Sequence, residues 1–147
     1  MIFNINELIL TENDYNDFLN LYSQLSIIDY NNFSYDDFKH FTNSLYYNPN
    51  HNIYVYMTEN KIVGTITLLL EQKMIHNGKY VAHIEDLVIA KEHRNKKIAS
   101  QLLEYVINIS KKNNCYKCIL DCVPELCDLY NKNGFQNKGS CMAYYFD

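Results

Sequence analysis

The fold is decided by residues 83–100, which read His83-Ile84-Glu85-Asp86-Leu87-Val88-Ile89-Ala90-Lys91-Glu92-His93-Arg94-Asn95-Lys96-Lys97-Ile98-Ala99-Ser100. A mainly apolar strand runs here into a short polar loop and then into the start of a helix. The first turn of a helix has unpaired N–H groups and a partial positive charge, and the basic side chains of this loop add full charges at the same place. The stretch predicts an anion site suited to a pyrophosphate; the alternative, equally favoured by composition, is a solvated basic turn.

Two adjacent carboxylates, Glu85 and Asp86, lie inside this apolar strand. Burying a carboxylate costs free energy unless it is paired or hydrogen-bonded. Neighbouring residues point to opposite faces of a sheet unless a bulge turns both to one side. A bulge here would also splay the strand from its neighbour and open a slot. The alternative is an edge strand with outward-pointing charges.

Helices and strands alternate on both sides of this stretch. The pattern predicts a strand at 7–10, a helix that begins in the stretch of capping residues at 11–14, and a second helix after Ser34. It then predicts strands at 52–58, 62–70 and 80–89, a helix at 98–113, a strand at 117–122, a helix at 125–133 and a strand at 140–146. Strands separated by helices imply parallel crossovers, whereas the short connection at 59–61 suits an antiparallel hairpin. The predicted fold class is therefore α/β, of the α+β type, with one mixed sheet, flanking helices and a single domain over residues 1–147.

Composition excludes several classes of protein. The chain has 147 residues, of which 48% are hydrophobic and 20% charged, as is typical of one globular domain. Its net charge of −4 argues against a non-specific nucleic-acid binder. No apolar run approaches the ~18 residues of a membrane span, and the amino terminus lacks the pattern of a secretory signal. A cytoplasmic protein is expected.

Five cysteines lie in the last third of the chain: Cys115, Cys118, Cys122, Cys127 and Cys141. In the cytosol thiols stay reduced, so a disulfide framework is not expected. The spacing Cys115-x2-Cys118 resembles half of a zinc knuckle, but buried thiols that act as small hydrophobes are the favoured interpretation, and no metal is expected. No cysteine has an evident histidine base, which argues against an acyl-cysteine intermediate.

Residues 94–99, Arg94-Asn95-Lys96-Lys97-Ile98-Ala99, resemble the Q/R-x-x-G-x-G/A acetyl-CoA signature of the GCN5-related N-acetyltransferases. Within that superfamily, the order and spacing of several segments are similar to the glucosamine 6-phosphate N-acetyltransferase family. These segments are residues 24–26, 71–76, 85–88, 115–117, 120–122 and 129–135. The resemblance covers essentially the whole chain, and its joint order is more specific than any single motif.

The resemblance implies the GCN5-related N-acetyltransferase fold, mostly antiparallel, with a splayed central strand pair. It implies an enzyme that transfers the acetyl group of acetyl-CoA directly, in a ternary complex, to the amine of glucosamine 6-phosphate. The products would be N-acetylglucosamine 6-phosphate and CoA, on the route to UDP-N-acetylglucosamine. A homodimer built through terminal strands is implied as well. The alternatives are transfer to another small amine or a peptide, and a catalytically silent acyl-CoA-binding module.

The resemblance also assigns roles to individual residues. Those expected to bind acetyl-CoA are Leu87, Val88, Ile89, Arg94, Asn95, Lys96, Lys97, Ile98, Ala99, Ser100, Tyr130 and Asn131. Those expected to take part in catalysis are Tyr130, which would give a proton or hydrogen bond to the departing thiolate, with Asp121, Glu85 and Asp86. Those expected to line the acceptor are Ser26, Lys73, Met74, Ile75, His76, Glu85, Asp86, Tyr116, Lys117 and Tyr145.

Two departures from the family pattern carry expectations of their own. Asn95 and Lys97 stand where glycine is usual, which predicts a shifted loop that relies more on side-chain charge and binds acetyl-CoA more weakly. Tyr145 stands where the family has an arginine for the sugar phosphate. Phosphate recognition is therefore expected to be redistributed, or the acceptor to differ.

Overall fold

A computed structural model describes residues 1–29 and 31–146 of the chain. Within them, five strands form one sheet in sequence order: β1 (Ile2–Asn4), β2 (His51–Thr58), β3 (Lys61–Gln72), β4 (Tyr80–Ile89) and β5 (Cys115–Ile119). The strands β1 to β4 are antiparallel to their neighbours, and β5 is parallel to β4. The predicted mixed, mostly antiparallel sheet is confirmed.

The α-helices of the described residues are α1 (Glu12–Tyr22), α2 (Tyr35–Leu45), α3 (Ile98–Lys112) and α4 (Cys127–Lys132). Capping boxes begin the first two helices: Thr11 pairs with Asp14, and Ser34 with Asp37. Each pair satisfies two backbone N–H groups that a helix start otherwise leaves unpaired. The predicted starts, within residues 11–14 and after Ser34, are therefore confirmed.

The sheet separates α1 from α3. Thr67 of β3 lines a cavity together with Tyr22 of α1, whereas a Cβ atom on Gly64 of the same strand would lie 3.4 Å from Ile98 of α3. A Cβ atom on Gly64 would lie 2.7 Å from Cδ1 of Ile89, so a larger residue at this position would displace the end of the Ile89 side chain. The main core lies beneath α3, whose Leu102, Leu103 and Val106 are fully buried.

The β2–β3 hairpin confirms the predicted tight connection. Thr58 pairs with Lys61, and the two residues between them, Glu59 and Asn60, have φ values of 50° and 59°. Two successive positive φ values define the type I′ turn, whose twist matches that of the flanking strands.

The first strand lies earlier than predicted. Ile2–Asn4 pairs with β2, and Asn4 then caps a 3-10 turn at Ile5–Glu7 that ends the strand. The apolar residues at 7–10 predicted a strand, but they form none, and Ile9 is 96% exposed. Residues 7–10 have no partner strand in the described part of the chain, and strand formation depends on such a partner more than on local propensity.

The carboxyl-terminal third departs from prediction at two places. The strand predicted at 117–122 lies at Cys115–Ile119, because its ladder with β4, its one neighbour among the described strands, ends at that point. The strand predicted at 140–146 is absent, and Phe146 is 91% exposed. Within one chain, no strand of the described residues pairs with this segment, and its aromatic side chains are exposed. The helix predicted at 125–133 is a 3-10 turn followed by the shorter α4.

The five cysteines are all free. Cys115 and Cys118 pack against the core, as the interpretation of small hydrophobic thiols requires, but Cys122 and Cys141 are exposed and do not fit it. Within residues 1–29 and 31–146, no group of three or more candidate ligands has metal-binding geometry. In the same residues, no helix combines the length and apolar character needed to cross a membrane.

Candidate active site

A β-bulge in β4 brings the two carboxylates to one face of the sheet. Thr65 pairs with Val88 and Thr67 with Glu85, so β4 holds one residue more than β3 over this interval. Asp86 lies in the bulge with a φ of 50°. Glu85 shares the face of its partner Thr67, and Asp86 lines the same cavity as Thr67. The alternative of an edge strand is wrong, because β4 pairs with β3 on one side and with β5 on the other, although both carboxylates are exposed.

A gap opens between β4 and β5 immediately before the bulge. The last pair of their ladder is His83 with Ile119. Beyond it, β4 continues to Ile89, whereas residues 120–123 belong to no strand. The edge of β4 that faces the gap therefore presents backbone N–H and C=O groups without a partner strand in the described residues.

Three carboxylates lie around the mouth of the gap. Burial raises the pKa of Glu85, and the nearby charges of Asp86 and Asp121 raise it further. Burial also raises the pKa of Asp86, although the opposing charge of His51 lowers it. Each raised pKa means that the folded chain disfavours the charged carboxylate, so a cationic or hydroxyl-rich ligand would relieve the repulsion.

The loop between β4 and α3 contains no glycine, yet two of its residues have the positive φ values that glycine adopts most easily. Asn95 has a φ of 62° and Lys97 a φ of 63°, both in the left-handed region. Asparagine tolerates this region better than most residues, whereas lysine meets the full steric penalty. The predicted dependence on side-chain charge remains a prediction, but the backbone adopts glycine-like dihedrals despite the substitutions.

We expect Lys97→Gly to raise the free energy of unfolding by about 1 kcal/mol, because glycine adopts a positive φ without a Cβ clash. Thermal or urea unfolding measures the change. Lys96→Gly, at a neighbouring exposed position outside the positive-φ set, is the control and should be destabilising or neutral. Equal stabilisation by both substitutions would contradict the strain at Lys97.

The amino-terminal end of α3 is free to bind an anion. Lys97 occupies the N-cap position, and no described side chain caps the helix. The N–H groups of Ile98, Ala99 and Ser100 therefore have no capping side chain among the described residues, and Lys96 and Lys97 directly precede them. This geometry, together with the positive end of a 15-residue helix, suits a pyrophosphate.

Arg94 is held on the other side of this loop. Its Nε donates to the carbonyl oxygen of Ile89 at 3.1 Å, and its Nη2 donates to Oε1 of Gln24 at 2.7 Å. The guanidinium thus ties the end of β4 to the segment after α1. Positive charge for an anion at α3 comes more directly from Lys96 and Lys97, and an anion-binding role for Arg94 stays a prediction.

Tyr130 lies on α4 next to the gap. It is only 8% exposed, and burial raises the pKa of its hydroxyl. Asn133 donates to Oγ of Ser100 at 3.2 Å, which joins the end of α4 to the first turn of α3. Gly134 follows with a φ of 89°, as predicted for the helix end. No hydrogen-bond partner of the Tyr130 hydroxyl is found among the described residues, so it remains available to a ligand.

The acceptor-side residues gather at two places. His76 stacks on Tyr116 with ring centroids 4.0 Å apart, and the amine of Lys117 lies 5.6 Å from the same ring. A groove of about 950 Å³ runs along β5 and contains Tyr116, Lys117, Asp121, Tyr130 and Asn131. Ser26 lines a separate cavity of about 400 Å³ together with Asp86, on the α1 face.

Some predicted residues are not brought to the site by one chain. Met74 is 100% exposed, Ile75 is largely exposed, and Tyr145 is 86% exposed. Lys73 is occupied by an ion pair with Glu71. For Tyr145 the reason is the missing terminal strand, which leaves its segment without a neighbour.

Several residues near the carboxylates were missed by the sequence analysis. Glu71 accepts hydrogen bonds from Lys73 and from His83 (2.9 Å to His83), and these bonds lower its pKa. Thr67 has a buried hydroxyl with no partner among the described residues. His83 had a usable signal, since it lies two residues from Glu85 and therefore on the same strand face.

Comparisons with known proteins agree with this geometry. The acetyltransferase (GNAT) family profile matches residues 15–135. A probable glucosamine 6-phosphate N-acetyltransferase 2 of Oryza sativa subsp. japonica is 40% identical over 88 residues, which cover 60% of this chain and 53% of the rice protein. The glucosamine 6-phosphate N-acetyltransferase of Candida albicans is 39% identical over 85 residues, covering 58% of this chain and 57% of the relative. The chain thus spans little more than half the length of these curated relatives.

The match to solved structures extends over the whole chain. The crystal structure of glucosamine-6-phosphate N-acetyltransferase from Arabidopsis thaliana superposes with a TM-score of 0.87 and 30% identity, covering 100% of this chain and 98% of that one. An acetyltransferase of Trypanosoma brucei superposes with a TM-score of 0.86 at 24% identity, which shows the shared fold. With the family profile covering most of its length and the split sheet beside an uncapped helix, the chain belongs to the acetyltransferase (GNAT) family.

Proposed function

We propose that the protein transfers the acetyl group of acetyl-CoA to the amine of glucosamine 6-phosphate, forming N-acetylglucosamine 6-phosphate and CoA in the pathway to UDP-N-acetylglucosamine. The observation that carries the proposal is the separation of β4 from β5 beyond His83 and Ile119, beside the free amino terminus of α3. The names of the rice, Candida and Arabidopsis relatives support the choice of acceptor.

Acetyl-CoA would bind across the gap in an extended form. Its pantetheine amides would pair with the free edge of β4 at residues 87–89, as an added strand does. Its pyrophosphate would rest on the N–H groups of residues 98–100, with Lys96 and Lys97 supplying charge. The acetyl group would then lie near the bulge, between Glu85 and Tyr130.

Acetyl transfer needs a neutral amine, a polarised carbonyl and a stabilised thiolate. A sugar amine next to electron-withdrawing oxygens loses its proton more readily than a lysine amine, whose pKa is about 10.4. The chain therefore has little need of a strong base, and holding both substrates in one slot supplies much of the rate. As the amine attacks and the C–S bond breaks, the Tyr130 hydroxyl would donate its proton or a hydrogen bond to the leaving sulfur.

The carboxylates and the basic groups would divide acceptor recognition. Glu85 and Asp86 would bind the amine and hydroxyls of the sugar, because their mutual repulsion favours a ligand that donates hydrogen bonds. Lys117 and His76, which share the Tyr116 ring, would face the phosphate in place of the family's terminal arginine.

A homodimer would complete the acceptor site. The segment at 140–146 is exposed and rich in aromatic residues, and in the described residues the outer edge of β5 has no partner strand. Pairing of these segments between two chains would bury both and carry Tyr145 to the acceptor. We place this single-domain enzyme in the cytoplasm, where the five free thiols match a reducing environment. We propose that the reaction needs no metal.

Release of thiol from acetyl-CoA tests the proposed reaction. Adding glucosamine 6-phosphate should raise the rate of thiol release well above the rate with acetyl-CoA alone. The matched acceptors are glucosamine, which lacks the phosphate, and a panel of polyamines, lysine and peptides. A faster reaction with one of the panel amines would identify another acceptor, and no release with any amine would support a silent acyl-CoA-binding module.

We expect Lys96→Ala to weaken CoA binding about five- to tenfold at low ionic strength, because it removes one charge from the pyrophosphate site. Calorimetric titration should show little change for pantetheine, which has no pyrophosphate. Lys112→Ala, an exposed lysine at the opposite end of α3, is the matched control. If CoA and pantetheine lost affinity equally, the pyrophosphate would have to lie elsewhere.

A further inference from the structure

Two cysteines that have no part in the proposed acetyl transfer are in contact with each other at the edge of the gap. The sulfur atoms of Cys122 and Cys127 lie 3.8 Å apart and share a hydrogen bond. Cys122 is exposed in the loop after β5, and Cys127 is the half-buried first residue of α4. The pair is therefore open to solvent on one side and fixed to a helix on the other.

We propose that Cys122 and Cys127 form a dithiol modification site, which a small disulfide such as oxidised glutathione converts into an intramolecular disulfide. The thiolate of Cys122 attacks one sulfur of the small disulfide, whose S–S bond breaks and releases one thiol. The thiolate of Cys127 then attacks the Cys122 sulfur of the mixed disulfide and releases the second thiol. The protein loses two hydrogens, and the small disulfide gains them.

The local geometry suits this second step better than any other pairing of the five thiols. Only Cys122 and Cys127 have sulfur atoms in contact among the described residues. Cys141 is exposed too, but its thiol donates to Oδ2 of Asp121 at 3.3 Å, and Cys118 is packed against the core. Burial and the hydrogen bond to Cys127 raise the pKa of Cys122. A higher pKa slows the attack on the small disulfide, whereas the extent of oxidation at equilibrium is set by the reduction potential of the Cys122–Cys127 pair.

The Cys122–Cys127 disulfide would displace Tyr130. Closing an S–S bond of about 2 Å from the present separation draws the loop and the first residue of α4 together. Tyr130 lies three residues after Cys127, about one helical turn away. Three residues further on, Asn133 donates a hydrogen bond to Ser100, which holds that end of α4 in place. A displacement of about 1 Å at a reacting group can lower a rate a hundredfold. We therefore expect oxidation to slow acetyl transfer at least tenfold.

Equilibration in glutathione buffers of increasing oxidised fraction tests the site. Mass spectrometry should show loss of two hydrogens, and cleavage after Lys117, Glu125 and Lys132 should leave residues 118–125 and 126–132 joined only by the disulfide. The cross-link should persist in Cys118→Ser and Cys141→Ser and vanish in Cys122→Ser. A cross-link that survives in Cys122→Ser, or mixed glutathione disulfides in place of a cross-link, would overturn the proposal.

Activity gives a second, separate readout that rests on the proposed function. The thiol of glutathione reacts with the reagents that detect released CoA, so the acetylated product is measured directly. Wild-type protein should lose activity as the cross-link forms and regain it with dithiothreitol, whereas Cys127→Ser, which removes the second thiol without altering segment 120–123, should have the same rate in both buffers. A full cross-link with unchanged rate would overturn the coupling to Tyr130. A reduced protein without acetyl transfer would count against the proposed function, while the mass measurement still decides the dithiol.

Discussion

Replacing Tyr130 by phenylalanine is expected to lower kcat about 10- to 100-fold while changing the affinity for acetyl-CoA little, since general acid catalysis commonly contributes at or above that range. The ring is buried against the core and stacks edge-on with Phe135, so phenylalanine keeps the packing and removes only the hydroxyl. That hydroxyl has no partner among the described residues, and its loss therefore leaves no buried group unpaired. Steady-state kinetics with CoA affinity measured by calorimetry separates the two effects.

Tyr105→Phe is the matched control for Tyr130. Tyr105 lies on α3 and contacts Tyr54 of β2, which is separated from β4 and the gap by β3. It should show wild-type kinetics. Unchanged turnover in Tyr130→Phe would remove this hydroxyl from the chemistry, and a loss confined to CoA affinity would make it a binding group only.

Replacing Glu85 by glutamine is expected to lower kcat/KM for the amino sugar phosphate about 10- to 100-fold, mainly through KM, because a hydrogen bond to a charged group contributes about 1.5–3 kcal/mol. The same substitution should raise the melting temperature at neutral pH. The folded pKa of Glu85 lies above its unfolded value, so the charged carboxylate destabilises the folded chain at neutral pH. The stability difference should shrink as pH falls and the carboxyl becomes protonated in both states.

Glu104→Gln provides the control for Glu85→Gln. Glu104 is exposed on α3, so its substitution removes the same charge at a position away from the site. It should change neither kcat/KM nor the melting temperature appreciably. Lower stability of Glu85→Gln at neutral pH would contradict the electrostatic description of the bulge, and wild-type kinetics would make Glu85 a surface charge.

Much of the fold follows from local signals in the sequence. The capping residues Thr11 and Ser34, the Glu59-Asn60 turn and the apolar face of α3 each act within a few residues, and the structure confirms all of them. The strands at the two ends were misplaced, because strand formation depends on a partner rather than on local propensity. Residues 7–10 and 140–146 are apolar enough for strands but have no partner strand among the residues that the structure describes.

The site was predictable in its chemistry but not in its geometry. Two carboxylates in an apolar strand are compatible with a bulge or with an edge strand, and the register of β3 with β4 shows the bulge. The positive φ values at Asn95 and Lys97 could not be read from their identities, since neither residue demands that conformation. The contacts of Glu71 with Lys73 and His83 join residues from two strands, and the sequence alone gives no register.

A crystal structure of the protein with bound CoA tests the central claim most directly. The pantetheine arm should lie between residues 87–89 of β4 and the segment 120–123, hydrogen-bonded to the free edge of β4. The pyrophosphate should contact the N–H groups of residues 98–100, and the sulfur should lie within hydrogen-bond reach of the Tyr130 hydroxyl. A complex in which β4 and β5 pair along their full length, with CoA bound elsewhere, would contradict the account.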